Sequence, residues 1–147
     1  MAIIRNAELS DVAELLNLEN ELFSPAYKAE DLVYFIENKD LAQVAVLVEN
    51  REIIGFYIIV LLFEEAQIVQ LAIKKAYQGL AYAKVLLQDI MGFTKEQGCE
   101  KLTLEVRVSN CKAQRLYQQF GFKQWAVRKD YYVAPQEDAL LLGRNLL

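Results

Sequence analysis

Apolar and polar positions change their period along this chain, and the changes mark its elements. Ile3-Ile4-Arg5 opens as a short strand. Val12, Leu15, Leu16, Leu18 and Leu22 then recur at helical spacing, with Ser10 placed to cap the helix. Phe23-Ser24-Pro25 breaks that pattern. A second helix is predicted over roughly Ala29–Glu37, with Leu32, Phe35 and Ile36 facing inward. The period then shortens. Val44–Val48 and Ile53–Leu62 read as strands joined by a turn over residues 49–52, and Gln67–Ile73 reads as a third. The short links between them predict antiparallel hairpins.

A long helical pattern follows from Leu80 to Gln97, through Ala83, Leu87, Ile90, Met91 and Thr94, with Gly98 as its C-cap. Lys101–Val108 is a predicted strand. Asn110–Gln119 is a helix ended by Gly121, Phe122–Lys129 a strand, and Ala139–Leu142 part of a last strand. No repeat or linker divides the chain, and only two prolines punctuate it. The pattern predicts one α+β domain over residues 1–147 with a mixed central sheet. The connection from the Gln67–Ile73 strand through the long helix to the Lys101 strand is expected to be a right-handed crossover.

Bulk properties narrow the function. A chain of 147 residues that is 54% hydrophobic can bury a full core. Its net charge of −4 argues against a general nucleic-acid binder, so no direct nucleic-acid contact is expected. The apolar run Ile53–Phe63 is too short to cross a bilayer as a helix. The start, Met1-Ala2-Ile3-Ile4-Arg5, lacks the charged-then-apolar order of a secretory leader. A cytoplasmic location with no membrane partner is expected. There is no histidine, which excludes Ser-His, Cys-His and His-based zinc chemistry. Cys99 and Cys111 both read as small packed groups, although the place of Cys111 near a helix start favours a thiolate.

Two segments carry candidate chemistry. In the first, residues 74–84, a turn of small residues opens the long helix, with Lys74, Lys75 and Lys84 adding charge nearby. Free backbone N–H groups and the positive end of the helix dipole suit a pyrophosphate there, although an ordinary helix start looks the same. In the second, Glu105 lies near the carboxyl end of a strand, where ligands of open sheets gather. Tyr117 follows Asn110 by two helical turns and can share a face with the helix start. Glu105 is thus a candidate base and Tyr117 a candidate acid. A polar sheet face and a core aromatic are the plain alternatives. Asn110 reads as the N-cap, with Ser109 its rival.

These segments resemble one enzyme family. Residues 78–83, Gln-Gly-Leu-Ala-Tyr-Ala, are similar to the coenzyme A loop of the GNAT acetyltransferases, Gln/Arg-x-x-Gly-x-Gly/Ala. Gln78 fills the first position and Ala83 the last, while Ala81 replaces the central Gly. Glu105-Val106-Arg107-Val108-Ser109-Asn110, Leu116-Tyr117, Phe120-Gly121-Phe122, Arg128–Tyr132 and Glu137–Ala139 resemble the bacterial ribosomal-protein-alanine N-acetyltransferases, the RimI family. The likeness runs over nearly the whole chain.

The resemblance implies a GNAT-type domain of six to seven strands and about four helices. It implies acetyl-CoA as co-substrate, with no metal. The reaction would be acetyl transfer to a protein N-terminal α-amine, that of an N-terminal alanine on a small-subunit ribosomal protein. Glu105 would be the general base and Tyr117 the general acid. Asn110, the backbone of Leu71, Ala72 and Ile73, and the loop residues Gln78, Gly79, Leu80, Ala81, Tyr82 and Ala83 would contact the cofactor. Tyr131, Tyr132, Glu137 and Asp138 are expected to edge the amine site, with either acid drawing a cationic peptide end.

Two departures touch the peptide side. Phe23-Ser24-Pro25-Ala26-Tyr27 stands where the family has Pro-Trp, and the segment between Tyr132 and Glu137 is short. Acetylation of a lysine or small amine, and a non-catalytic coenzyme A-binding module, are the alternatives. Only Ala81 favours the module. The expected assembly is a monomer or weak dimer.

Overall fold

The computed structural model describes residues 1–147. Its seven strands are β1 (Ile3–Asn6), β2 (Ala42–Glu49), β3 (Glu52–Leu62), β4 (Glu65–Ile73), β5 (Lys101–Arg107), β6 (Lys123–Val133) and β7 (Gln136–Asn145). They form one sheet in the order β1-β2-β3-β4-β5-β7-β6. Four helices complete the domain: α1 (Val12–Leu22), α2 (Ala29–Glu37), α3 (Tyr82–Glu96) and α4 (Cys111–Gln119). The predicted α+β class, strand count and helix count all hold. Hairpins join β2, β3 and β4, as their short links predict. Only β4 and β5 run parallel, joined by the crossover through α3.

Alternation along the strands gives the sheet two apolar faces, and each is covered. On one face Leu86, Leu87, Ile90 and Met91 of α3 and Tyr117 of α4 pack against Tyr57, Ile68, Leu102 and Leu104. On the other, Leu15 and Leu18 of α1 and Leu32 and Ile36 of α2 pack against Val44, Val46, Phe56 and Ala72. Cys99 is buried and Cys111 is exposed, and neither is in a disulfide.

Some boundaries shift. Ser10 does not cap α1. A 3₁₀ turn over Leu9–Asp11 precedes it, and the Asp11 carboxylate accepts from the Glu8 N–H at 2.7 Å. Asp11 also pairs with Arg5 at 2.8 Å, an anchor that a neutral hydroxyl lacks. The strand predicted to end at Lys129 runs on to Val133 as β6. Its ladder with β7 skips from Arg128↔Ala139 to Tyr132↔Glu137, which bulges residues 129–131 outward.

Two further irregularities shape the centre. The β3–β4 register steps between Ile58 and Ile59, pairing them with Gln70 and Ile68 and leaving Val69 as an extra residue. Side chains at 69 and 70 therefore face the same side, toward α1 and α2. The β4–β5 ladder then stops at Ile68↔Leu104, although β4 continues to Ile73 and β5 to Arg107. Beyond that point the two central strands part.

Gly55 of β3 lies opposite Ile73 and leaves room for this end of β4. A Cβ there would stand 2.8 Å from both the Ala72 carbonyl oxygen and Ile73 Cδ1. Gly55→Ala is expected to destabilise the fold by about 1–3 kcal/mol, read as a lower denaturant midpoint at unchanged slope.

Candidate active site

Two clefts meet where β4 and β5 part. The first, on the α3–α4 side, has a volume of about 570 Å³ and runs from the loop at Gln78–Ala83 to Tyr117. The second, on the α1–α2 side, has a volume of about 480 Å³ and includes Phe23, Pro25, Gln70, Glu105 and Tyr132 in its wall. Leu71, Asn110, Ala113 and Tyr117 border both. Ligands entering from opposite faces of the sheet can therefore touch between the strands.

The backbone of β4 faces this junction. The Lys74 N–H donates to the Ile54 oxygen at 2.8 Å. Alternation along an antiparallel ladder then turns Ala72 and Gln70 toward β3, and turns Leu71 and Ile73 away from it, into the gap. The Ile73 carbonyl accepts from the Gln78 amide at 2.9 Å. Gln78 thus ties the loop to the end of the strand, and the Leu71 and Ile73 N–H groups face the first cleft.

The loop itself bends through two left-handed residues, Gly79 at φ +79° and Ala81 at φ +68°. Ala81 occupies the N-cap of α3 and makes no side-chain cap bond. The first-turn N–H groups of Tyr82, Ala83 and Lys84 are left pointing out of the helix, and Ala81, Ala83 and Lys84 line the first cleft. Lys112 and Arg115 of α4 bring further positive charge to its wall. Of the lysines singled out in the sequence, Lys84 reaches the cleft, whereas Lys74 pairs with Glu52 at 3.3 Å. Leu80 is 61% exposed and lies off the cleft. Ala72 turns its side chain to the opposite core.

Glu105 points into the second cleft, with its side chain 12% exposed. Its Oε1 lies 3.4 Å from Gln67 Nε2 and 3.8 Å from Arg128 Nε, and its buried Oε2 has no hydrogen-bond partner. Arg107, two residues on along the same strand, is engaged elsewhere. It donates to Glu137 at 3.0 Å and to the Pro135 carbonyl at 2.9 Å, and its guanidinium stacks over Tyr132 at 4.3 Å.

Tyr117 is buried and packs edge-on against Phe122 with ring centroids 5.6 Å apart. Burial pushes its phenol up to about 12, so it keeps its proton throughout the neutral range. Asn110 caps α4, its Oδ1 accepting from the Ala113 N–H at 3.2 Å. The rival, Ser109, instead donates its N–H to Glu137 at 2.9 Å.

The last hairpin divides its four candidates. Tyr132 lines the second cleft. Tyr131 stands close enough to Glu105 that, after burial, this carboxylate helps raise its phenol. Glu137 does not line the cleft. Ser109, through its side chain and its backbone N–H, and the Arg107 guanidinium hold its carboxyl below the usual range. Asp138 accepts from the Asp130 N–H at 2.8 Å and so fastens the bulge that presents both tyrosines. Both acids are thus committed to holding the hairpin, not left free toward the cleft.

The chain belongs to the acetyltransferase (GNAT) family. The model for that family matches residues 12–122. A putative ribosomal protein bS18-alanine N-acetyltransferase of Bacillus subtilis is 31% identical over 141 residues, covering 96% of this chain and 93% of that protein. A ribosomal protein bS18-alanine N-acetyltransferase of Haemophilus influenzae is 40% identical over 100 residues, 66% of this chain and 68% of its own length. The crystal structure of the ribosomal-protein-S18-alanine N-acetyltransferase from Escherichia coli superposes with a TM-score of 0.89 at 24% identity, covering 99% of this chain and 94% of that one. In this GNAT domain the parting of β4 and β5 opens the junction between the two clefts.

Several residues at the site were not picked out from the sequence. Lys112 and Arg115 sit one turn apart on the polar side of α4, a spacing visible once the helix is placed. Glu19 and Gln70 carried no signal. Glu19 is fully buried, and its Oε1 accepts from the Tyr27 N–H at 2.9 Å and from Gln70 Nε2 at 3.0 Å. Burial pushes the Glu19 carboxyl up, against the opposing effect of these two donors.

Ala81 holds a left-handed conformation that costs an L-residue about 1–2 kcal/mol. Ala81→Gly should therefore raise stability by about 1 kcal/mol in a denaturant titration, the reverse of glycine's usual effect inside a helix.

Proposed function

We propose that the protein transfers the acetyl group of acetyl-CoA to the N-terminal α-amine of a protein, the N-terminal alanine of a small-subunit ribosomal protein. The observation that carries this reading is the meeting of two clefts at Tyr117 and Leu71, with Glu105 on one side and an uncapped helix start on the other. The names of the bacterial relatives support the choice of substrate.

In this reading the pyrophosphate of acetyl-CoA rests on the N–H groups at Tyr82–Lys84, with Gln78, Gly79 and Ala81 shaping the turn. Lys84, Lys112 and Arg115 supply charge. The pantetheine arm runs along Leu71 and Ile73 toward Asn110 and Tyr117. The thioester carbonyl then lies near the Leu71 N–H, a preorganised donor for the developing oxyanion.

The amine enters from the second cleft, between Tyr132 and the loop at Phe23–Pro25. An α-amine has a pKa of about 8, against about 10.4 for lysine, so a modest base suffices near neutral pH. Glu105 takes the proton, directly or through a water. The amine nitrogen bonds to the acetyl carbon, the carbon–sulfur bond breaks, and Tyr117 protonates the leaving thiolate; the nitrogen's second proton restores the Tyr117 phenol, and the proton on Glu105 passes to solvent. No covalent enzyme intermediate is required.

The test of the reading is an acetylation assay with a peptide that begins with alanine, beside the same peptide with its N-terminus blocked and an internal lysine retained. Turnover of the free-ended peptide alone supports it; equal turnover of both points to lysine acetylation. Tyr117→Phe should lower kcat by about 10²–10⁴-fold at neutral pH, and near-normal turnover would remove its role as acid. Glu105→Gln should abolish the acidic limb of the pH–rate profile, and an unchanged limb would exclude it as base. Ala81→Gly is expected to tighten acetyl-CoA binding, measured by calorimetry, since a glycine lets the loop backbone approach the pyrophosphate with no Cβ in the way.

A further inference from the structure

Three buried oxygens have no hydrogen-bond partner: Glu19 Oε2, Gln70 Oε1 and Glu105 Oε2. Gln70 and Glu105 both line the second cleft, and Gln70 is joined to Glu19. A buried amide oxygen without a donor is costly, and one on a residue lining the cleft that holds the candidate base gains its missing partner when a ligand N–H reaches it. We propose that Gln70 orients the incoming amine by accepting one of its N–H groups at Oε1, and that Glu19 is the positioning residue that sets the Gln70 amide. The proposal rests on the reading of the second cleft as the amine site.

The sheet explains why Gln70 is there at all. Were Val69 paired in a regular ladder instead of bulged, alternation from Ile68 would turn position 70 toward α3 and α4. The bulge turns it toward α1, one residue before Leu71 at the junction of the clefts. Glu19 then settles which end of the amide faces which way. Glu19 Oε1 meets Gln70 as an acceptor, so it selects the Nε2 end of the amide. Its Oε1 also receives the Tyr27 N–H, which fixes the carboxylate in turn. The Gln70 oxygen is left facing away from that bond.

The chemistry has a use for such an acceptor. A neutral primary amine carries one lone pair and two N–H bonds. The lone pair must aim at the thioester carbon, which requires acceptors for the N–H bonds on the far side. Glu105 supplies one, and Gln70 supplies another. Being neutral, Gln70 orients the amine without raising its pKa, as a second carboxylate would.

The experiment compares a peptide beginning with alanine to the same peptide beginning with N-methylalanine. It uses the wild-type chain, Gln70→Leu, Glu19→Gln and the double variant. Acetyl-CoA affinity and Tm are measured for each. Gln70→Leu should lower kcat/KM for the alanine peptide by about 10- to 100-fold at unchanged acetyl-CoA affinity. It should also shrink the preference for the primary over the methylated amine, which has one N–H fewer to offer. Glu19→Gln keeps an acceptor for the Tyr27 N–H but no longer selects one end of Gln70, so it should give a smaller loss in the same direction. The double variant should be no worse than Gln70→Leu alone.

An unchanged preference ratio in Gln70→Leu overturns the proposal, as does a fall in Tm with wild-type kinetics. Should Gln70→Leu melt below the assay temperature, a wild-type ratio in Glu19→Gln overturns it instead. A wild-type chain that acetylates neither peptide overturns the reading of the cleft as well, which separates the two failures.

Discussion

The site depends on one broken ladder. β4 and β5 pair only as far as Ile68↔Leu104, while each remains bonded to its outer neighbour, β4 to β3 as far as Ile73 and β5 to β7 as far as Arg107. The strands are thus held rigidly from outside while they separate inside. Unpaired backbone groups in a sheet are normally a liability. Here the Gln78 amide takes up the Ile73 carbonyl, and the remaining groups face a cleft that a ligand can enter. The bulge at Val69 and the bare Cα of Gly55 sit in the same short stretch of β3 and β4.

Charge is distributed with the same economy of position. Arg107 and Glu105 share a strand face, and a close pair between them would leave the carboxylate engaged. Glu137 instead draws Arg107 away at 3.0 Å, with Tyr132 stacked beneath the guanidinium. Glu105 keeps one long contact to Arg128, a side chain that is 54% exposed. In the proposed mechanism, Glu137 serves by occupying Arg107 rather than by attracting substrate. Asp138 serves by fastening the strand that carries the tyrosines.

The elements were legible because their periods are strong. The apolar stripe of α3 and the alternation in β2, β3 and β5 survive any plausible packing, and Gly98 and Gly121 mark helix ends where φ is positive. What sequence reasoning could not reach lies in irregular pairing. The bulges at Val69 and at residues 129–131 are set by register against a partner strand, which leaves no local signature. Gln70 is invisible for that reason, since its side depends on one extra residue upstream. The partners of Arg107 depend on a hairpin thirty residues away. Glu105, Asn110 and Tyr117 were within reach because strand end, helix cap and two helical turns are short-range features.

The bulges of β6 have a second consequence. This strand closes one edge of the sheet, is exposed along almost its whole length and displays Trp125, Val127 and Val133 to solvent. A straight ribbon of that kind would template association with another unpaired strand. The breaks near Trp125 and at residues 129–131 interrupt its repeat, and Lys123, Arg128 and Lys129 add charge along it. The distortion that sets Tyr131 and Tyr132 near Glu105 thus also breaks the regular edge that such pairing needs. Regularising that strand would leave an unbroken, exposed ladder edge in its place.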